Sequence, residues 1–262
     1  MPTSVEPMSK RQKVLSYPVD IVGKEEACRR IENAWQENRT LHVVTLNAEM
    51  VVASQKDSEM DRIIRHAGLI VPDGAGVVWA LRLAHAKNAR VARLPGIELA
   101  ERALQAAAHH GQPVALLGGK PEVMAKLLEA LPARYPGLNI CASHHGYFQA
   151  EESAAIVELL AADKPRLLLV ALGVPRQEYF IDRWHEKFPG TVLVGVGGSF
   201  DVWTGFVQRA PETFQKLHLE WLYRLLKEPW RFNRMASSLP NFAFQALAEV
   251  ISKRLGGAKS QD

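Results

Sequence analysis

Cysteine occurs only twice in 262 residues, as Cys28 and Cys141. Two thiols so far apart build neither a disulfide framework nor a zinc site, and a reducing compartment is expected. Long apolar runs are missing too. None approaches the roughly 20 residues that a bilayer-spanning helix needs, and the N-terminal "MPTSVEPMSKRQKV" lacks the apolar core of a secretion signal. These absences point to the cytoplasm, with any membrane contact peripheral. Low-complexity tracts and internal repeats are also lacking.

What is present is an ordinary globular composition, 47% hydrophobic and 23% charged, in a chain long enough for one large or two modest domains. The net charge of +4 suits anionic partners, whether nucleotide diphosphates, acidic lipids or nucleic acid, without choosing among them. Apolar blocks at "LHVVTL" (41–46), "LIVP" (69–72), "PVALLG" (113–118), "LNICAS" (138–143), "RLLLVAL" (166–172) and "TVLVGV" (191–196) read as strands. They are continuous rather than alternating, as in strands buried on both faces of a parallel sheet. Helical patterns lie between them at 24–38, 48–67 with a break near Asp57, 97–110, 121–134, 151–162 and 175–188. This alternation predicts an α/β fold around a mostly parallel sheet over residues 1–205. From residue 206 to 262 the strand blocks stop. An aromatic, basic, helix-spaced segment follows, containing Trp221, Trp230, Phe242 and Phe244 beside Arg224, Lys227, Arg231 and Arg234; it reads as a helical appendage. The first dozen residues and the "GGAKSQD" tail read as frayed.

Ligands of parallel α/β sheets bind outside the carboxyl ends of the strands. Those ends here carry Thr45 and Asn47, Asp73 and Gly74, Gly118 to Lys120, "HHGYF" with Tyr147, Gly173 to Glu178, and Gly197 to Ser199. Such convergence of small and polar residues is stronger evidence than any one motif. The loops "LLGGKPE" and "ALGVPRQE" run into helices, where Gly118 and Gly119 would let backbone amides approach a phosphate. Read singly, each also has a structural explanation. Asp73 before glycine is first a turn or cap signal, and Thr45 or Asn47 suits a cap for the helix at Ala48. The histidine pairs His109–His110 and His144–His145 lack metal-ligand spacing.

Rival classes fit less well. "GAGVVW" misses the dinucleotide fingerprint of an oxidoreductase because Trp79 replaces its last glycine. "GGSFD" has Asp201 where a hydrolase nucleophile elbow needs glycine. A nucleic-acid module would explain the basic C-terminal segment but not the row of strand-end residues. By contrast "TLNAEMV", "VPDGAGVVWA", "RLPGIEL", "LLGGKPEV", "GYF", "LGVPRQE", "GVGGSFDVWTG" and "RAPETFQKLHLEWLYRLLKEPWR", in this order across 18–234, resemble the WecG/TagA/CpsF glycosyltransferases of family 26.

That resemblance implies a Rossmann-like sheet of the GT-E type with a C-terminal helical appendage. It implies inverting transfer of a sugar, N-acetylmannosamine foremost, with N-acetylmannosaminuronic acid or glucose as alternatives. The donor is a UDP-sugar and the acceptor a polyprenyl-diphosphate-linked sugar of teichoic acid or surface polysaccharide synthesis, met at the inner face of the plasma membrane. By the same resemblance Asp73 is the base. Thr45, Asn47, Arg93 and Gln177 line the pocket, and Arg224, Arg231 and Arg234 close over the donor diphosphate. The sequence contains no Asp-x-Asp pair, so metal-independent catalysis without a cofactor is expected, arginines and glycine-loop amides supplying the positive field. Nucleic acid is not an expected partner. A homo-oligomer remains compatible, since an appendage can bury itself between subunits.

Overall fold

A computed structural model describes residues 11–84, 91–216, 220–227 and 232–258. It begins with an antiparallel hairpin, β1 (Arg11–Val14) and β2 (Tyr17–Asp20). After helix α1 (Lys24–Gln36) come the six strands of the main sheet: β3 (Leu41–Leu46), β4 (Leu69–Pro72), β5 (Pro113–Gly118), β6 (Asn139–His144), β7 (Leu167–Ala171) and β8 (Val192–Gly195). Their order is β4-β3-β8-β7-β5-β6, and each neighbouring pair is parallel. All six match the expected strands to within one residue at either end.

Both faces of the sheet are covered. Leu41, Val43, Leu69, Val71, Val114 and Leu116 meet α1, α5 (Gly96–His109) and α6 (Pro121–Arg134). The alternate residues Val44, Leu46 and Ile70 meet α2 (Ala48–Ser54), α3 (Ser58–His66) and α4 (Ala75–Ala84). Ala115, Leu117, Leu168 and Val170 meet α7 (Ser153–Ala161) and α8 (Arg176–Trp184) on the same side. Two-sided burial is why the strands read as unbroken apolar runs. The break expected near Asp57 is a helix cap: its side chain accepts from Met60 N–H at 3.0 Å and starts α3.

The hairpin corrects the expectation of a frayed start at Arg11 and Gln12, which lie within β1; residues 1–10 lie outside the described residues. Its two-residue turn, Leu15 and Ser16, has φ values of 47° and 69°. Turns of that geometry normally carry Asn or Gly, so no sequence signal marked it. The hairpin shields the outer edge of β4. Asp20, 3% exposed, accepts the N–H of Ile70 at 2.9 Å and pairs with Arg11 at 2.9 Å, satisfying part of an otherwise open edge.

Beyond the sheet lie α9 (Ser199–Trp203), α10 (Glu212–Lys216), α11 (Glu220–Lys227) and α12 (Phe232–Ala258). Ser238, Phe242, Ala246 and Val250 form a buried stripe along α12 at four-residue spacing. Phe242 packs in the cluster that joins α2 and α4, and Glu249 accepts the N–H of Leu15 at 3.0 Å. Phe242→Ala is expected to lower the unfolding free energy by about 3–5 kcal/mol, read by urea denaturation. An unchanged midpoint would show that α12 contributes no packing to the body.

Candidate active site

The carboxyl end of β4 is tied from both sides. Asp73 donates its N–H to the Leu46 carbonyl of β3 at 3.0 Å, and Leu94 donates to the Pro72 carbonyl at 2.9 Å. The glycines of "DGAG" are required by close packing. A Cβ on Gly74 would lie 3.1 Å from Asn47 Cβ, and one on Gly76 would lie 3.3 Å from Ala48 Cβ. Their absence lets α4 begin directly against the start of α2, which brings Asp73 beside Asn47. Asn47 caps α2, its side-chain oxygen accepting from Met50 N–H at 3.0 Å. Thr45, in register with Val71, lies against Gly96, where a Cβ would stand 3.0 Å from Thr45 Oγ1. Thr45, Asn47, Asp73 and the first turn of α5 thus form one corner.

Arg93 joins this corner through its guanidinium. Its Nε donates to the Asp73 main-chain carbonyl at 2.6 Å, and its Nη2 lies 3.8 Å from the Asp73 carboxylate. The same Nη2 is in direct contact with Glu220 at the start of α11. Glu220 also lies 3.5 Å from Arg209 Nε, an ion-pair distance without hydrogen-bond alignment, since that Nε has no hydrogen-bond partner among the described residues. Arg209 pairs in turn with Glu98 at 2.9 Å, and Glu98 with Lys24 at 2.6 Å. Burial pushes Glu98 up, but Lys24 and Arg209 outweigh it and hold the carboxyl below its usual range. Charges of alternating sign therefore run from Lys24 to Asp73. Glu220 was not among the sequence-predicted residues: it sits 127 positions from Arg93, and no local spacing links the two.

Gln177 holds a different place from the one expected. It is 3% exposed, its Oε1 accepting from Gly197 N–H at 3.0 Å and its Nε2 donating to Glu178 at 2.8 Å. It supports the loop after β8 from beneath. Gly195 has no room for a side chain because the Gln177 amide lies against its α-carbon. Burial raises the Glu178 carboxyl to about 7, partly offset by the Gln177 hydrogen bond.

Gly118, Gly119 and Tyr147 stand apart from the Asp73 corner. Four strand spacings, about 19 Å in all, separate the ends of β4 and β5. Gly118 has φ 130° and lies so near Ala171 that a Cβ would collide with that carbonyl. The Gly119 N–H, expected to face a phosphate, donates to Ala171 at 3.2 Å. Tyr147 is 65% exposed. Arg231 and the side chains of Arg224 and Arg234 lie outside the described residues. Two clefts of about 550 and 510 Å³ line other surfaces and include none of the predicted site residues. Among the described residues no cluster of three or more His, Cys, Asp or Glu is placed to hold a metal.

A partly exposed carboxylate beside a guanidinium, at the carboxyl edge of a parallel sheet, is an arrangement suited to proton removal next to a bound anion. The sequence profile of the WecG/TagA/CpsF glycosyl transferase family matches residues 12–256, and the chain belongs to that family: it is a glycosyltransferase of the hexosyl-transferring class. It is similar to the N-acetylglucosaminyldiphosphoundecaprenol N-acetyl-beta-D-mannosaminyltransferase of Bacillus subtilis (strain 168). The two are 35% identical over 212 residues, covering 81% of each chain.

Glu178 generates a pH test. Its ordinary pKa of 4.5 becomes about 7 in the fold, so between these values the folded state holds a proton that the unfolded state has lost. Stability is full below pH 4.5 and falls as pH rises through 7, by about 3 kcal/mol in all. Glu178→Gln is expected to be more stable than the unsubstituted protein at pH 8 and close to it near pH 4.5. Urea denaturation at both pH values reads this; a difference independent of pH would show that Glu178 stays charged.

Proposed function

We propose that the chain is an inverting transferase that moves N-acetylmannosamine from a UDP-sugar to a polyprenyl-diphosphate-linked N-acetylglucosamine. The observation that carries this reading is the Asp73–Arg93 pair at the carboxyl end of β4. The name of the Bacillus subtilis relative supplies the sugar and the lipid acceptor. In a single displacement the acceptor hydroxyl oxygen bonds to the anomeric carbon from the face opposite UDP. Asp73 takes the hydroxyl proton as that bond forms. The bond from the anomeric carbon to the diphosphate oxygen breaks, and its electron pair leaves with UDP. Arg93, with Arg224, Arg231 and Arg234, meets the developing negative charge.

The appendage, residues 206–262, serves in this proposal as the membrane contact that a lipid-linked acceptor requires. Phe244, Leu247 and Ile251 are 72%, 43% and 56% exposed and share one side of α12, away from its buried stripe. Lys253 and Arg254 follow in sequence. An apolar ridge followed in sequence by cations suits peripheral docking on an anionic inner leaflet, each cation contributing about 1 kcal/mol near such a surface. No described helix is long and apolar enough to cross a membrane.

Asp73→Asn separates base from cap, because Asn caps about as well but accepts a proton poorly. Transfer from UDP-N-acetylmannosamine to a soluble lipid-diphosphate-N-acetylglucosamine analogue is expected to drop about 10²- to 10⁴-fold at an unchanged melting temperature. Wild-type turnover in this variant returns Asp73 to a structural role. Turnover with UDP-N-acetylmannosaminuronic acid or UDP-glucose alone replaces the donor. Chelator is expected to leave transfer intact; loss in EDTA with recovery in magnesium or manganese would establish a metal requirement.

A further inference from the structure

Gln177 and Glu178 form a buried polar pair beneath the end of β8. They are 3% and 2% exposed and lie in the first turn of α8. Gln177 uses both ends of its amide: Oε1 accepts from Gly197 N–H at 3.0 Å, and Nε2 donates to Glu178 Oε1 at 2.8 Å. Gly195 lies so close that a Cβ there would collide with the amide nitrogen, so the amide is held against the strand. Above it the chain is bare. No heavy atom of the described residues lies within 4 Å of where a Cβ on Gly197 or Gly198 would stand, and Gly197 has φ 50°. The main chain of these two glycines therefore forms a ledge. Parallel pairing of Val43 with Val194 sets it one strand spacing, about 5 Å, from β3, whose end carries Thr45 and Asn47.

Resting on the proposed transfer reaction, we propose that Glu178 is a positioning residue: it fixes which way the Gln177 amide faces and so holds the Gly197–Gly198 ledge in place for the sugar donor. The two ends of an amide differ in kind, since the oxygen only accepts and the nitrogen only donates. Gly197 N–H requires the oxygen. Turned end for end, the amide would set its own N–H groups against the Gly197 N–H and leave buried donors without acceptors, which is strongly unfavourable. Glu178 works against that arrangement, because its oxygen accepts from Nε2 and repels the amide oxygen. A carboxyl can do this in either protonation state. Burial raises it to about 7, and the acid form keeps a carbonyl oxygen that accepts. What the position requires is therefore an acceptor and not a charge. Burying a carboxyl lowers stability, and its side-chain partner among the described residues is Gln177.

Glu178→Met and Glu178→Gln test this. Both keep the length of the side chain; Met removes the acceptor and Gln retains one. Hydrogen exchange at Gly197 N–H, followed by ¹H–¹⁵N NMR, is expected to speed up about tenfold in Glu178→Met and to stay within about twofold in Glu178→Gln. Donor KM is expected to rise about tenfold in Glu178→Met with kcat changed less than about threefold, since a displaced ledge weakens binding rather than the chemical step. Glu178→Gln is expected to restore KM. Equal exchange at Gly197 in all three proteins overturns the proposal, as does a fall in kcat at unchanged KM, the mark of a smaller folded fraction. Equal defects in the two variants overturn it too, because the acceptor would then be irrelevant. If Glu178→Met does not fold, the unsubstituted protein decides: the Gln177 side-chain N–H protons are expected to be protected from exchange, and prompt exchange overturns the proposal. Absence of turnover with every UDP-sugar removes the transfer reaction, and Gly197 exchange in the same variants then decides the Glu178 role by itself.

Discussion

A parallel sheet covered by helices on both faces leaves its strand ends as the place where polar chemistry can gather. Every inward residue of the central strands is committed to one helix layer or the other, as Val43 and Val44 show by facing opposite cores. The corner at Asp73 forms where β3 and β4 stop. It then depends on close approach of backbones. Gly74 against Asn47 and Gly76 against Ala48 let the first turns of α2 and α4 lie side by side. A side chain at either glycine would push the helices apart and Asp73 away from its neighbours.

Charge organises this corner more than burial does. The alternating run Lys24, Glu98, Arg209, Glu220, Arg93 and Asp73 joins α1, α5, the segment before α10, α11 and the end of β4. Pairs of this kind add little net stability when partly exposed, and their value here is geometric. Each charge is oriented by the next, so the run of pairs ties α11 to the corner at Asp73. The apolar stripe of α12 serves a different purpose: Phe242 in the cluster with α2 and α4 anchors the C-terminal helix on the face of the sheet that carries the site-forming helices.

Strand positions, the α/β alternation and the break at Asp57 were legible in the sequence because each is a local consequence of hydrophobic pattern or capping chemistry. The β1–β2 hairpin was not, since Leu15 and Ser16 adopt left-handed turn conformations without the residues that usually announce them. Among the site residues, Asp73 and Asn47 could be picked out as strand-end polar groups, and their adjacency follows from neighbouring strands. Gln177 could be picked out as a strand-end polar group but not as buried, because a side chain at a strand-to-helix turn can face ligand or loop, and its bond to Gly197 turns it to the loop. Gly118 was read for its conformational freedom; what requires it is the Ala171 carbonyl on β7.

The sequence alone therefore determined the strands of the main sheet, their alternation with helices and the family, all of which reside in short patterns and ordered motifs. Tertiary structure decided which carboxylate holds Arg93, that Gly119 gives its N–H to β7, and that Glu220 meets Arg93 at all. These outcomes rest on pairings between groups distant in the chain: Arg93 and Glu220 are 127 residues apart. Electrostatic attraction and hydrogen bonding act on distances in space, and only the folded arrangement of the sheet and its helices sets those distances.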